Sequence, residues 1–390
     1  MKKSISVIFI LLAFLMTITS FFGFTKNTAL AEENLSVKSK SAYLVDAATG
    51  SLIYAENENA KLPIASMCKI MTLLLCFEAQ DDGFINANEK ICISENAAGM
   101  GGSQVFLEAN AEYLVDDLLK SIVVASANDA CVALAEKICG SENAFVDKMN
   151  EKAQELGMVN TVFTNCTGLP KPGQHSTAKD VSIMFSELLK HKDYFKYSGI
   201  WMDKIEHPKG RITEISNTNK LIKFYNGCDG GKTGYTSEAD HCLAASAIRN
   251  GMRLVCVVIS SPDSKTRFND VSTMFNYGFA NYVNKLIVDD KKPLDISVDI
   301  VGGKQDTLSV IAEKPLFLFS QKNEKRSVEI DFQPLNRVKA PIFKGDLVGT
   351  LSVYENGIEI AVINVLANED VMQKTYFDVV KDIGKKWAII

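Results

Sequence analysis

Three short motifs in this chain could together activate a hydroxyl group: Ser66-Met67-Cys68-Lys69, Ser126-Ala127-Asn128 and Lys232-Thr233-Gly234. A serine hydroxyl is a weak nucleophile until a base takes its proton, and an amine three residues further along a helix lies on the same face as the serine. Lys69 meets that condition for Ser66. The chemistry indicated is an activated serine nucleophile with its base, without histidine. Lysine is protonated at its ordinary pKa, so Lys69 must be kept neutral by burial or by a second cation. Lys232 can supply that cation while attracting a substrate carboxylate, and a helix N-terminus at Ser66 adds positive bias. The glycines flanking Lys232-Thr233 predict close backbone approach by a ligand.

Each motif is weak alone, and order and context choose among the matches. A second SxxK, Ser176-Thr177-Ala178-Lys179, has no SxN between itself and the KTG triplet. Ser176 or Thr177 reads better as the N-cap of a helix beginning near Lys179. Ser94-Glu95-Asn96 and Ser141-Glu142-Asn143 also match SxN and read as caps, whereas Ser126 stands between two apolar helical stretches that could hold it over a cleft. A cap is the competing assignment for Ser126 too. His175, His191, His207 and His241 have no metal-ligand spacing and read as surface or packing residues. GxSxG, HExxH, Walker A and dinucleotide-binding glycine patterns do not occur, so no metal or cofactor is expected.

The elements that must position these residues are legible from periodicity. Ile70, Leu73, Leu74 and Phe77 recur at helical spacing and predict a helix from about Ser66 to Ala79 with Ser66 in its first turn. Asp116 to Cys139 reads as helical on both sides of Ser126, with Gly140 as a stop. Ala42–Asp46 and Ser51–Glu56 form a hairpin pattern, as do Cys242–Ile248 and Leu254–Ile259 around Asn250-Gly251, and the KTG segment should be the adjoining strand. Beyond about Asp290 the pattern turns all-β.

The first 31 residues read as a signal peptide: Lys2 and Lys3, an apolar run from Ile5 to Phe24, then Ala29-Leu30-Ala31 before the cut. An uncleaved membrane anchor is the alternative, and either places the mature chain outside the cytoplasm, exported to the outer face of the membrane or secreted. A net charge of -5 lacks the basic footprint of nucleic-acid binding. The nine cysteines contain no CxxC pair and read as small buried hydrophobes.

The motifs and their surroundings resemble the low-molecular-mass penicillin-binding proteins of the serine D-alanyl-D-alanine carboxypeptidase type. The resemblance rests on residues 65–72, 125–131, 165–169, 176–180 and 229–236, and on residues 340–349 toward the end. It implies an α+β fold: a transpeptidase/β-lactamase-like catalytic domain over residues 34–290, with an antiparallel five-stranded sheet and a helical cluster, then a small all-β sandwich over 291–368. It further implies that Ser66 forms the acyl-enzyme, Lys69 is the base and Ser126 relays a proton. Asn128 would hold the peptide, Lys232 and Thr233 the terminal carboxylate, and the backbone from Gly234 to Tyr235 the substrate, with the N–H groups of Ser66 and Tyr235 as oxyanion hole. The implied partners are the peptidoglycan stem peptide and β-lactam antibiotics as covalent inhibitors. Three positions depart from the family pattern: Cys68, Gly231 and His175.

Two other functions share these motifs. A class A β-lactamase adds Glu-x-x-x-Asn, which Glu155 and Asn160 miss by one position. A non-catalytic penicillin sensor would need a signalling domain that the sequence does not show. At the C-terminus, Tyr376, Val380, Ile383, Trp387 and Ile390 make one apolar stripe, and Lys374, Lys381, Lys385 and Lys386 outnumber Asp378 and Asp382. Residues 370–390 therefore read as an amphipathic helix, packed on the β domain or lying on an anionic membrane surface. The family resemblance favours the membrane.

Overall fold

The computed structural model describes residues 35–387, so the leader at 1–31 and the stripe residue Ile390 lie outside the described residues. Five antiparallel strands form the main sheet in the order Leu52–Glu56, Ser41–Asp46, Met252–Ser261, Asp240–Arg249, Cys228–Thr236. The central strand carries Val255-Cys256-Val257-Val258-Ile259, all fully buried, as expected for a β-branched run covered on both faces. Alternate residues serve alternate sides. Val255, Val257 and Ile259 join the large core shared with the helical cluster. Cys256 instead meets Met274, and Leu254 closes on Gly278, both on helix Ser264–Asn281. The turn into this strand has positive φ at Asn250 (50°) and Gly251 (80°), the conformation an Asn-Gly hairpin favours.

Helix Lys69–Asp81 runs through the large core, with every residue from Lys69 to Phe77 buried. A 3-10 turn, Ala65–Cys68, leads into it and carries Ser66. The Ser126 region is less regular than a plain helix join: helix Val115–Lys120 widens into a π turn over Ser121–Ala125. Ser126 then takes a left-handed conformation, and helix Asn128–Cys139 starts two residues later. Gly140 ends that helix with φ 78°.

Strand Tyr282–Val288 pairs with Leu316–Gln321. A second antiparallel sheet has the order Ser297–Asp299, Thr307–Ala312, Ile358–Ala367, Leu347–Glu355, Val328–Pro334. Val288, Leu308, Val310, Leu351, Ile363 and Val365 are among the residues of its separate core. The α+β class and the all-β second domain agree with the sequence reading. After backbone pairing at Val371 and Gln373, Thr375 and Asp378 cap helix Tyr376–Trp387: Asp378 accepts from Thr375 N (2.8 Å), and Thr375 Oγ1 accepts from Asp378 N (3.3 Å). All nine cysteines are free, six of them buried and only Cys92 exposed. Among the described residues no helix is long and apolar enough to cross a membrane.

Candidate active site

The Ser66 turn is wedged between two backbones. Gly168, with φ 81°, sits so close that a Cβ there would lie 2.0 Å from Ala65 O and 2.9 Å from Ser66 N. On the other side a Cβ at Gly234 would lie 2.6 Å from Ile64 O and 3.3 Å from Ser66 N. Ala65 is itself left-handed, φ 46°, a conformation that costs a residue with a Cβ about 1–2 kcal/mol. Packing on both sides holds it. The absence of a side chain at position 234 thus makes room for the nucleophile's own backbone. At Gly231 a Cβ would lie 2.6 Å from both Ala244 O and Asn219 Nδ2, which accounts for that departure from the family pattern in terms of protein packing.

Lys69 is 0% exposed, and its Nζ lies 2.9 Å from Ser66 Oγ and 2.5 Å from Thr167 O. Thr167 is fixed by Asn165, whose Oδ1 accepts from Thr167 N (3.2 Å) and Gly168 N (2.7 Å). Burial pushes the Lys69 ammonium below its ordinary pKa. The groups that could oppose this are the thiols of Cys131, Cys68 and Cys166 and the carboxylate of Asp129. Burial raises all three thiols, that of Cys131 to about 12, so they stay neutral and offer no counter-charge. Asp129 is occupied by the backbone N–H groups of Val105, Leu107 and Ala130.

Ser126 and Asn128 sit on a strained turn. Ser126 has φ 63° and ψ 33° directly after the π turn, a type of helix irregularity frequent at functional sites. Its buried Oγ and the buried Oδ1 of Asn128 have no hydrogen-bond partner, whereas such atoms are ordinarily satisfied. Asn128 is anchored through Nδ2, which donates to Gly101 O (2.6 Å), and through its backbone N–H to Ser103 O (2.7 Å). A Cβ on Gly102 would meet Asn128 Nδ2 at 2.8 Å and Leu169 at 3.4 Å, so this loop brings the Asn128 turn up to the Gly168 wall.

Cys228–Thr236 is an edge strand, and its outward N–H and C=O groups can pair with an extended peptide. Lys232 is buried, with one hydrogen bond, Nζ donating to Thr233 O at 3.2 Å. Burial holds its ammonium well below the usual range, and the Lys69 and Arg267 cations press the same way. Thr233 Oγ1 donates to Thr218 Oγ1 (2.8 Å), and Tyr235 is exposed with its ring stacked on His241, 4.5 Å between centroids. Lys232 and Arg267 thus give the site basic groups that would draw in a carboxylate, whose binding would favour the charged form of Lys232.

Sequence reasoning missed two supports. Arg267 lies under the strand, donating to Gly234 O (3.0 Å) and Cys242 O (3.3 Å). Its signal was an arginine on the buried face that Val271, Met274 and Phe275 define. Tyr194 supports the same strand, its OH accepting from Gly231 N at 3.0 Å. The rejected matches have structural partners: Ser176 Oγ is 2.7 Å from Thr161 Oγ1, and Thr177, Ser94 and Ser141 cap helices. Glu155 pairs with Lys152 (2.8 Å) at the surface. His207 lies between Tyr113 (2.6 Å) and Thr213 (2.9 Å). Among the described residues no group of side chains could hold a metal ion.

A lysine-paired serine beside an edge strand with buried cations is the arrangement of an SxxK serine hydrolase. The D-alanyl-D-alanine carboxypeptidase family matches residues 26–263, the penicillin-binding protein 5 C-terminal domain matches residues 283–373, and the chain belongs to that carboxypeptidase family. It is 40% identical to D-alanyl-D-alanine carboxypeptidase DacF of Bacillus subtilis (strain 168), over 94% of each chain. With DacC of Escherichia coli (strain K12) it shares 30% identity, covering 95% of this chain and 92% of DacC. The crystal structure of penicillin binding protein 5 from Haemophilus influenzae superposes with a TM-score of 0.67 at 29% identity, covering 87% of this chain and 98% of that one. The chain is therefore a serine-type D-Ala-D-Ala carboxypeptidase and a penicillin-binding protein, of a family that acts on peptidoglycan.

Proposed function

We propose that Ser66 is the nucleophile and Lys69 its base in removal of the terminal D-alanine from a stem pentapeptide. The observation that carries this is the 2.9 Å approach of Lys69 Nζ to Ser66 Oγ at a fully buried amine. The terminal carboxylate binds Lys232 and Thr233, which favours the charged form of Lys232 and thereby the neutral form of Lys69. Ser66 Oγ attacks the carbonyl of the penultimate residue while Lys69 Nζ takes its proton. The oxyanion is held by the N–H groups of Ser66 and Tyr235, donors of a kind that contribute about 10²–10³ in rate. Asn128 holds the peptide, and Gly234 and Tyr235 line it. The C–N bond breaks as Ser126 relays the proton to the departing D-alanine amine, a role that suits a buried hydroxyl without a partner. Water then cleaves the ester with Lys69 again as base. The test is release of free D-alanine from a stem peptide by the parent and by Lys69→Ala: equal rates would refute the assignment.

The catalytic region assigned is 34–290 and the β domain 291–368. Export through residues 1–31 and attachment of helix Tyr376–Trp387 to a membrane surface complete the proposal. Tyr376 and Phe377 are 79% and 81% exposed, and Val380 and Ile383 about half exposed. Tyr376, Val380 and Ile383 are thus not covered by the β domain, which favours the surface anchor over internal packing.

A further inference from the structure

At the end of the main sheet away from Ser66, a second space of 340 Å³ lies where the catalytic and β domains meet. Cys242 pairs with Gly234 beside the nucleophile, and Arg249 stands seven positions further along the same strand, about 24 Å away at about 3.4 Å per residue. None of the roles proposed for the reaction reaches that far. Each domain supplies a cation to the space: Arg249 ends strand Asp240–Arg249 of the catalytic sheet, and Lys322 follows strand Leu316–Gln321. Among the described residues no carboxylate lines it.

The Arg249 guanidinium is held in place by the protein alone. It lies over the rings of Tyr225 and Phe279, 4.5 and 4.9 Å from their centroids, and its Nε donates to Asn226 O at 3.0 Å. Stacking and one bond fix the planar group. Its Nη1 and Nη2 make no hydrogen bond among the described residues, so the fork that matches phosphate oxygens stays open. Lys322 Nζ donates to Phe279 O at 2.7 Å, which orients the ammonium and leaves two of its three donors. Asn276 Oδ1 accepts from the Tyr225 hydroxyl at 2.9 Å, so its Nδ2 adds a neutral donor. The end of helix Ser264–Asn281 borders the space, and bare carbonyls there would repel an anion. They are taken: Tyr277 O accepts from Asn281 Nδ2, Gly278 O from Tyr282 N, Phe279 O from Lys322 Nζ and Asn281 O from Lys322 N.

We propose that this junction is a binding site for a phosphate group, gripped by the Arg249 fork from one domain and the Lys322 ammonium from the other. Two cations match a phosphate monoester, which carries about −1.5 to −2 charge at neutral pH. A single carboxylate would leave one of them unpaired.

The test titrates inorganic phosphate into the full mature chain by calorimetry, beside Arg249→Met and Lys322→Gln. Neither residue belongs to the catalytic machinery, so unchanged D-alanine release shows that each variant has folded. Kd should rise about tenfold or more in Arg249→Met, which loses the charge-assisted fork, and about fivefold in Lys322→Gln. Lys322 is exposed, so its variant decides the matter should loss of the Arg249 stack unfold the other. Arg249→Lys, which keeps the charge without the fork, should fall between parent and Arg249→Met. Acetate should bind the parent at least about tenfold more weakly than phosphate. A second arm separates two sources of the group, using vesicles of phosphatidylglycerol and phosphatidylcholine. Weaker partition of Arg249→Met than of the parent assigns a lipid headgroup, and equal partition with phosphate binding intact in the parent assigns a soluble phosphate. A parent that binds no phosphate would overturn the site, as would acetate bound as tightly as phosphate. The same Kd in parent and variants, as binding in the Ser66 cleft would give, would overturn it too.

Discussion

The Ser66 cleft and the C-terminal helix break the ordinary rule of burial in opposite directions. In the cleft, Lys69 and Lys232 are fully enclosed and Ser126 Oγ and Asn128 Oδ1 have no partner; on helix Tyr376–Trp387, Tyr376 and Phe377 stand in solvent. Most of the chain obeys the rule, as the two apolar cores show. Both departures cost stability, and the partners proposed above, a peptide carboxylate in one case and a membrane surface in the other, would each relieve one of them. Functional regions are where local rules are expected to fail.

The comparison breaks most sharply at the cleft. Ser66→Ala or Lys69→Ala should lower turnover by about 10³-fold or more, since proton transfer and nucleophile act as one unit. Steady-state D-alanine release on proteins with unchanged far-UV spectra checks this. Lys232→Ala should cost about 10²-fold in kcat/KM on a peptide with a free C-terminus. Its deficit should shrink on the C-terminal amide, and an equal deficit on both would remove the carboxylate role. Ser126→Gly should lose roughly tenfold or more in turnover while gaining up to about 1 kcal/mol of stability. Glycine accepts φ 63° without a Cβ penalty and deletes the unpartnered hydroxyl. Urea denaturation beside the activity assay reads both.

The pH profile sharpens the electrostatic side. Lys69 must be neutral and Lys232 charged, so the rate should rise as Lys69 loses its proton and fall as Lys232 loses its own. Burial lowers both, so both limbs should lie below the ordinary lysine value of 10.5. An acid limb at that ordinary value would contradict a buried Lys69 base. The smallest effect on chemistry is expected from the other region. Deleting residues 370–390 should abolish partition onto anionic liposomes and leave kcat on a soluble peptide within about twofold. Equal partition of both forms would refute the anchor.

Much of the site was legible because its signals are local. Ser66 and Lys69 share a helical turn, and the Asn250-Gly251 hairpin announces the strands that bring Lys232 to the edge. What could not be read is set by contacts distant in sequence. Lys69 donates to Thr167, 98 residues away, and Arg267 reaches Gly234 across 33 residues. The glycines around Lys232-Thr233 also make room for Ile64, Ala244 and Asn219, which the sequence does not announce, because a missing side chain does not say which neighbour needs the space. The π turn before Ser126 was equally hidden: Ile122, Val123 and Val124 fit an α-helix as well as the wider turn that left-handed Ser126 closes.

The most direct test of the account is the site of covalent acylation. Purified protein is incubated with penicillin, digested and analysed by mass spectrometry. The adduct should lie on the peptide containing Ser66 and be absent from Ser66→Ala. A label on Ser176, or no label on the folded parent, would contradict the account.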